Sequence, residues 1–270
     1  MFWPSVRRHK HGVQDGAKTQ LTDEQWDRIK DLFPWEPPTR YGGRPRKAPR
    51  DCLEGILWVL RSGARWKDLP NSFPSFSTCW RRFRDWTESG VFKIAWARLL
   101  DDLGEINWEE AMADGTFSPA KKGAPEVGKT KRGKGTKIML LINGEGLPLG
   151  VDTESASASE VNLIERLVDR RTTQRPPARL IYDKAGDSDP LRERLAARGI
   201  DLICPHRRNR KRPATQDGRK VRRYRRRYEV ERTIAWLQYF RRLVTRYEYH
   251  AHLFQGFAQL ACLFTVLQTF

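Results

Sequence analysis

Three acidic residues stand where carboxylates from separate elements can act on one substrate. Asp114 closes the apolar run Glu110-Ala-Met-Ala-Asp114 ahead of Gly115, and Asp183 closes Arg179-Leu-Ile-Tyr-Asp183. Glu231 lies in Tyr224-Arg-Arg-Arg227-Tyr-Glu-Val-Glu231-Arg-Thr-Ile-Ala-Trp-Leu-Gln238-Tyr-Phe-Arg-Arg-Leu243, which has no Pro or Gly. The two short apolar runs, bounded by Gly, Asn and Asp, predict strands, and a side chain at a strand end projects from the sheet edge. The third run has an apolar residue every three or four positions and predicts one helix. At about 100° per residue, Val230, Ile234, Leu237 and Val244 share a face, with Tyr224, Arg227, Glu231 and Gln238 within roughly 60° of one another beside it. Singly, each aspartate reads as a turn residue and the glutamate as part of a solvated face. Together, with no His or Cys nearby for nucleophilic work, they suit hard divalent cations, which prefer oxygen ligands. Two ions roughly 3.5–4 Å apart would activate the attacking oxygen and stabilise the leaving oxygen of a phosphodiester. The expected cofactor is therefore a pair of hard divalent ions.

The composition agrees with a polyanionic substrate. The 270 residues carry 51 Lys+Arg against 33 Asp+Glu, a net charge of +18, which favours nucleic acid as partner. A 39% hydrophobic content with 10 Trp and 12 Phe is enough for a sizeable core. The one long apolar segment, Leu253 to Phe270, is interrupted by Gln255, Gly256, Gln259 and Gln268 and reads as a core helix rather than a membrane span. The first residues lack the apolar core of a signal peptide, so a cytoplasmic, nucleoid-associated location is expected. Cys52, Cys79, Cys204 and Cys262 are widely spaced, without a CxxC pair, and read as small buried hydrophobes. His250 and His252, two apart, do not share a helix face and read as surface residues.

The elements that must position the acids follow in order. Residues 1–20 form a flexible basic tail. Thr22 and Gln25 read as a capping box opening a helix that ends at Pro34. Residues 34–50 combine Pro, Gly and basic side chains as a linker or arm of the kind that lies along a minor groove. Helices over about 50–61, 77–88 and 92–100 follow, the second carrying Arg81, Arg82 and Arg84. Helix, short piece, turn and arginine-bearing helix is the order of a helix-turn-helix DNA reader; an ordinary helical bundle with a solvated arginine face is the competing reading. We thus expect a helical DNA-binding domain over 21–100 and a second domain over 108–270. In the second, strands over 110–115, 136–144 and 147–152 form a meander with a hairpin at Asn143-Gly144. A helix over 159–170, strand 179–183, helix 190–198 and strand 200–204 complete a mixed α/β sheet.

Gly123-Ala-Pro-Glu-Val-Gly128-Lys129-Thr130 matches the P-loop pattern. The phosphate cradle, however, needs the glycine loop to open a helix, and Gly133 and Gly135 follow instead. No nucleotide cofactor is expected. Lys121, Lys122, Lys129, Lys131, Arg132, Lys134 and Lys137 read instead as a mobile basic loop that neutralises a DNA backbone.

From Leu21 onward the chain resembles the DDE transposases of bacterial insertion sequences, specifically the insertion-sequence family five branch. The resemblance rests on Trp66-Lys-Asp-Leu-Pro70 with its arginine-bearing helix, Asp114-Gly-Thr-Phe-Ser-Pro-Ala-Lys-Lys-Gly, Gly128 to Lys137, Tyr182 to Asp189, and Tyr224 to Leu243. It implies a ribonuclease-H-like core, magnesium, double-stranded DNA partners (terminal inverted repeats and target) and a homodimer or higher synaptic complex. It further implies metal-dependent cleavage and strand transfer, with Asp114, Asp183 and Glu231 as the catalytic and metal-binding acids. The family's helix signature of Tyr, Arg, Glu and Lys falls on Tyr224, Arg227, Glu231 and Gln238, the last departing from lysine. Tyr182 and Gly186 depart as well, standing where the family has alanine and tyrosine. Two rivals share the same pattern: a relative that only binds inverted repeats, and a nuclease without strand transfer.

Overall fold

The computed structural model describes residues 21–34, 46–104, 106–216 and 218–270; the basic tail and most of the Pro/Gly arm lie outside them. The first helix, α1 (Asp23–Asp27), opens with the expected capping box. Gln25 N donates to Thr22 Oγ1, and Thr22 N to Gln25 Oε1, both at 3.1 Å. α1 is shorter than the pattern predicts, and the chain reaches Pro34 through a 3₁₀ turn over Lys30–Leu32. α2 (Pro49–Ser62) starts with Pro at its first position and stops at Gly63, whose φ of 69° is the left-handed cap glycine supplies at little cost. A 3₁₀ turn over Trp66–Asp68 leads to α3 (Phe76–Glu88) and α4 (Val91–Asp102).

A six-stranded mixed sheet follows: β1 (Glu110–Pro119), β2 (Gly128–Thr130), β3 (Gly133–Asn143), β4 (Pro148–Ser155), β5 (Arg179–Ile181) and β6 (Asp201–Ile203). The order is β2-β3-β1-β5-β6, with β4 also paired to β3. β1, β3 and β4 form an antiparallel meander, and β5 and β6 add parallel to β1. Asn143 shapes the predicted hairpin, its Oδ1 accepting from Glu145 N (3.0 Å) and Leu147 N (2.8 Å). Ile138 to Asn143 are buried without alternation, the mark of a strand covered on both faces. α5 (Glu160–Asp169) packs on β3 and β4, and α6 (Asp189–Ala197) on β6.

α10 (Ala251–Leu267) binds the helices to the sheet. It lies against α3, α4 and β4, Phe257 stacking on Phe83 at 4.1 Å between centroids. Gln255 Nε2 donates to Val151 O (2.9 Å). One apolar cluster therefore runs from Leu21 through both regions to Leu267. α10 is a core helix, as its glutamines imply, and among the described residues no helix is long and apolar enough to cross a membrane. All four cysteines are free and buried.

Two sequence expectations change. Residues 128–137 are an ordered β2–β3 hairpin rather than a mobile loop, turning at Lys131-Arg132. Gly133 has φ 105°, and Thr130 Oγ1 donates to Gly133 O (3.0 Å). Thus Gly128–Thr130 enters a strand and never the helix a P-loop requires. The continuous helix over 224–243 is also broken. A 3₁₀ segment over Arg222–Arg227 follows the short α7 (Gly218–Val221) and leads into α8 (Tyr228–Leu237), and Gln238 caps it. Phe240 then turns to ψ 88°, buried edge-on against Phe264, before α9 (Arg241–Val244). That break resets the phase, so Leu243 is buried and Val244 exposed.

Candidate active site

Strand register brings the two aspartates together. β1 and β5 are parallel and their last register pair is Met112 with Ile181; Asp114 and Asp183 each lie two residues beyond it, Asp183 just past the end of β5 and Asp114 within β1, which runs on to Pro119 paired with β3. Asp114 Oδ1 accepts from Gly115 N (2.9 Å). Glycine is needed there because a Cβ would lie 2.8 Å from Met139 Sδ on β3. Asp183 caps a 3₁₀ turn over Lys184–Gly186, its Oδ1 accepting from Ala185 N (2.7 Å).

Glu231, on the first turn of α8, joins them through Arg227. The Arg227 guanidinium bridges the two acids, with Nη2 at 2.7 Å from Asp114 Oδ2 and Nη1 at 2.7 Å from Glu231 Oε1. The Tyr224 ring lies 6.0 Å from the guanidinium carbon, and Gln238 Nε2 reaches Thr116 Oγ1 at 3.3 Å, over β1. Arg227 and Gln238 thus reach Asp114 and Thr116 on β1, with Glu231 and Tyr224 beside Arg227, although the helix changes to 3₁₀ before Tyr228 and breaks after Gln238. Burial pushes the Asp114 carboxyl above its ordinary range; Arg227 opposes this and the charge of Asp183 adds to it. For Arg227 burial works downward, and the charge and hydrogen bond of Asp114 together with Tyr224 and Glu231 outweigh it, leaving the guanidinium above its ordinary value.

The donor chemistry fits divalent ions: three hard carboxylates, two from adjacent strands, with a cationic guanidinium already bridging two of them. The carboxylates are not closed around one point, since among the described residues no three His, Cys, Asp or Glu side chains are grouped closely enough to hold an ion.

Tyr182 is buried and faces away from the site, its hydroxyl donating to Glu160 Oε2 at 3.1 Å. Lys137, expected on a DNA-facing loop, instead lies on β3 and pairs with the same glutamate at 3.0 Å. Gly186 makes room for the tyrosine: a Cβ there would lie 2.8 Å from Tyr182 Cδ1. The two departures from the family pattern thus fall on positions that touch, the Tyr182 ring filling the space beside Gly186. Gly186→Ala should cost about 1–3 kcal/mol in denaturant unfolding by overpacking. The double variant Tyr182→Ala/Gly186→Tyr should be more stable than the sum of its single variants predicts; simple additivity would show that the positions do not share one space.

Sequence reasoning missed the clamp beneath Asp183. Asp187, its side chain 2% exposed, lies 3.1 Å from Arg192 and from Arg210. It also accepts from His206 Nδ1 (2.9 Å) and Arg207 N (2.8 Å). Thr215 N donates to His206 Nε2 (3.1 Å), so Nδ1 carries the ring proton. The Arg207 guanidinium donates to the carbonyls of Lys184 (3.1 Å) and Ala185 (2.7 Å), tying the basic loop to the turn that Asp183 caps. Glu110 does the same for the segment before α8, accepting from Arg223 (2.7 Å) and Arg226 (2.8 Å). None of these pairs has a periodic signature in sequence.

The remaining basic residues stand apart from the carboxylates. Lys129, Lys131, Arg132 and Lys134 are exposed on the β2–β3 hairpin, with Lys129 directly opposite Lys134. Arg81, Arg82 and Arg84 lie on α3, where Arg84 pairs with Asp85 (2.8 Å) and sits 5.4 Å above the Trp80 ring.

The comparisons with known proteins agree with this architecture. Residues 110–266 match the family model "Transposase DDE domain", and residues 21–96 match "Putative transposase of IS4/5 family". A Burkholderia cepacia protein described as "Putative transposase for insertion sequence element IS402" is 33% identical over 153 residues, spanning 52% of this chain and 68% of that protein. A second from the same organism, "Insertion element IS402 uncharacterized 16.2 kDa protein", is 37% identical over 121 residues, 42% of this chain and 82% of that protein. A solved piggyBac transposase in a synaptic complex with hairpin DNA superposes with a TM-score of 0.52 at 12% identity, covering 93% of this chain and 73% of that one; this likeness shows the fold. With a ribonuclease-H-like mixed sheet preceded by a helical region, and a family match over more than half its length, the chain belongs to the DDE transposases of bacterial insertion sequences.

Proposed function

We propose that this transposase cuts insertion-sequence DNA ends and joins them to target DNA, using Asp114, Asp183 and Glu231 to hold two divalent ions, Mg or Mn. The observation that carries the reading is the pairing of Asp114 and Asp183 at equal register on adjacent parallel strands, with Glu231 linked to Asp114 through one guanidinium. When bound, such ions lower the pKa of an attacking water and neutralise charge on the leaving oxygen. The chain's own residues fix the geometry. The Ala185 N–H and the Arg207 clamp hold Asp183, and the Gly115 N–H holds Asp114. Gln238 offers an uncharged donor where the family has lysine, and Tyr224 and Arg227 flank the site as DNA contacts.

DNA is held, in this proposal, by two further surfaces. Lys129 facing Lys134 across the β2–β3 hairpin is a like-charge pair that destabilises the isolated protein and is relieved by a phosphate backbone. The helical segment 21–100, with Arg81, Arg82 and Arg84, reads the terminal inverted repeats, and 108–270 is the catalytic unit. Cutting and joining paired ends calls for a homodimer or larger synaptic complex in the cytoplasm, on the nucleoid.

Incubating the protein with labelled inverted repeats, a target plasmid and Mg separates the readings: joined products support strand transfer, nicks alone a nuclease, and retarded but intact ends a binding protein. Glu231→Gln should bind the ends with unchanged affinity yet yield no nicks; wild-type nicking by that variant would remove Glu231 from the site.

A further inference from the structure

Arg227 is placed oddly for a residue whose only task is to touch a phosphate. Its guanidinium lies between two of the three acids, 2.7 Å from each. Asp114 and Arg227 side chains are each 18% exposed, while Glu231 is 56% exposed. Arg227 Nε is buried without a hydrogen-bond partner. The group is thus held by its two anionic contacts, with the Tyr224 ring beside it, at a cost in desolvation.

We propose that Arg227 is an internal competitor for the catalytic metal: it neutralises Asp114 and Glu231 from the position a divalent ion must take, and it is displaced when that ion binds. This rests on the carboxylate assignment above. The physical argument is exclusion. A guanidinium hydrogen-bonded to one oxygen of each acid uses the lone pairs that ligation needs, and a full positive charge a few ångströms from an incoming dication opposes it strongly in a partly buried site. Displacement is feasible because only two terminal nitrogens hold the group and Glu231 lies at the exposed side. The bridge also accounts for the open arrangement of the acids, since Glu231 is turned to Arg227 rather than gathered with Asp114 and Asp183 around one point.

The test is calorimetric titration of the full chain with MnCl₂, without DNA, so that the readout is affinity and not turnover. Arg227→Gln should bind Mn about tenfold tighter than wild type. Arg227→Lys, which keeps the charge but cannot span both acids, should fall between them. Lys184→Gln, which removes an exposed charge next to Asp183, should change affinity less than about twofold, separating displacement from a general loss of positive charge. Asp114→Asn should lose the binding. Thermal melts of each variant before titration confirm folding, and Arg227→Lys carries the test if Arg227→Gln does not fold. If Asp114→Asn abolishes binding while Arg227→Gln and Arg227→Lys bind no tighter than wild type, Arg227 is not a competitor. If Asp114→Asn binds Mn as wild type does, the carboxylate assignment itself fails.

Discussion

Asp114→Asn is expected to lower DNA cleavage by about three orders of magnitude or more while leaving the fold as stable as wild type. The loss follows from charge. Several kcal/mol of transition-state stabilisation by bound ions depend on anionic ligands, and each 1.36 kcal/mol is a factor of about ten in rate. The retained stability follows from burial. The Asp114 carboxyl is pushed above its ordinary range by desolvation, so its protonated form is the one the fold favours. Its contribution is present at low pH and is lost as pH rises through the raised folded value, so at neutral pH the ionised group costs stability. Asparagine has the same shape and no such cost, and unfolding in urea should show a change between zero and a small gain. An inactive variant of unchanged stability marks a residue kept for chemistry. Equal losses in cleavage and stability would instead mark Asp114 as a structural partner of Arg227.

Asp187→Ala should do the reverse, acting first on the fold. Burial alone would raise this carboxyl, but the Arg207 N–H, His206 and Arg192 outweigh it and hold it at about 2, against an ordinary 3.8. A depressed carboxylate contributes stability that is fully present above the ordinary value and is lost as pH falls through about 2, roughly 2 kcal/mol for a shift of this size. Truncation also removes one charge partner each from the half-buried Arg192 and Arg210, although Arg210 keeps Asp189 and Arg192 keeps the Leu202 carbonyl. Because the same network ties the basic loop to the turn under Asp183, cleavage per folded molecule should fall about 10–100-fold, as when a support of a metal ligand is removed. Equilibrium unfolding and single-turnover cleavage check the two parts separately. A variant that loses stability but cleaves normally when folded would show that Asp183 does not depend on the clamp.

What could be read from the sequence was local. The apolar run ending in Asp183 gave the end of β5, Asn143-Gly144 gave the hairpin, and Thr22 with Gln25 gave the capping box; the run ending in Asp114 gave a strand but not its end, because β1 continues to Pro119 against β3. The phase of a long helix was not local: Val244 belongs to the Val230 face by spacing, but burial of Phe240 against Phe264 breaks the helix and exposes Val244. Nor was β2 legible. A run rich in Lys and Gly reads as loop, and the strand forms because Gly128 fits against Ser155 and Ser157 and Gly135 against Phe117. Arg227 and Glu231 stand four apart and so were legible as a helical pair; the reach of Arg227 to Asp114, across the sheet edge, was not. The departures at Tyr182 and Gly186 read as two separate changes in sequence and meet at one contact in space.

The most direct measurement of the central claim is anomalous diffraction from crystals of the protein with inverted-repeat DNA and Mn. The account predicts manganese peaks between Asp114 on β1 and Asp183 past the end of β5, with oxygens of Asp114, Asp183 and Glu231 in direct ligation and Arg227 turned away from them. Manganese bound elsewhere, or DNA held against the site with no peak between Asp114 and Asp183, would contradict it.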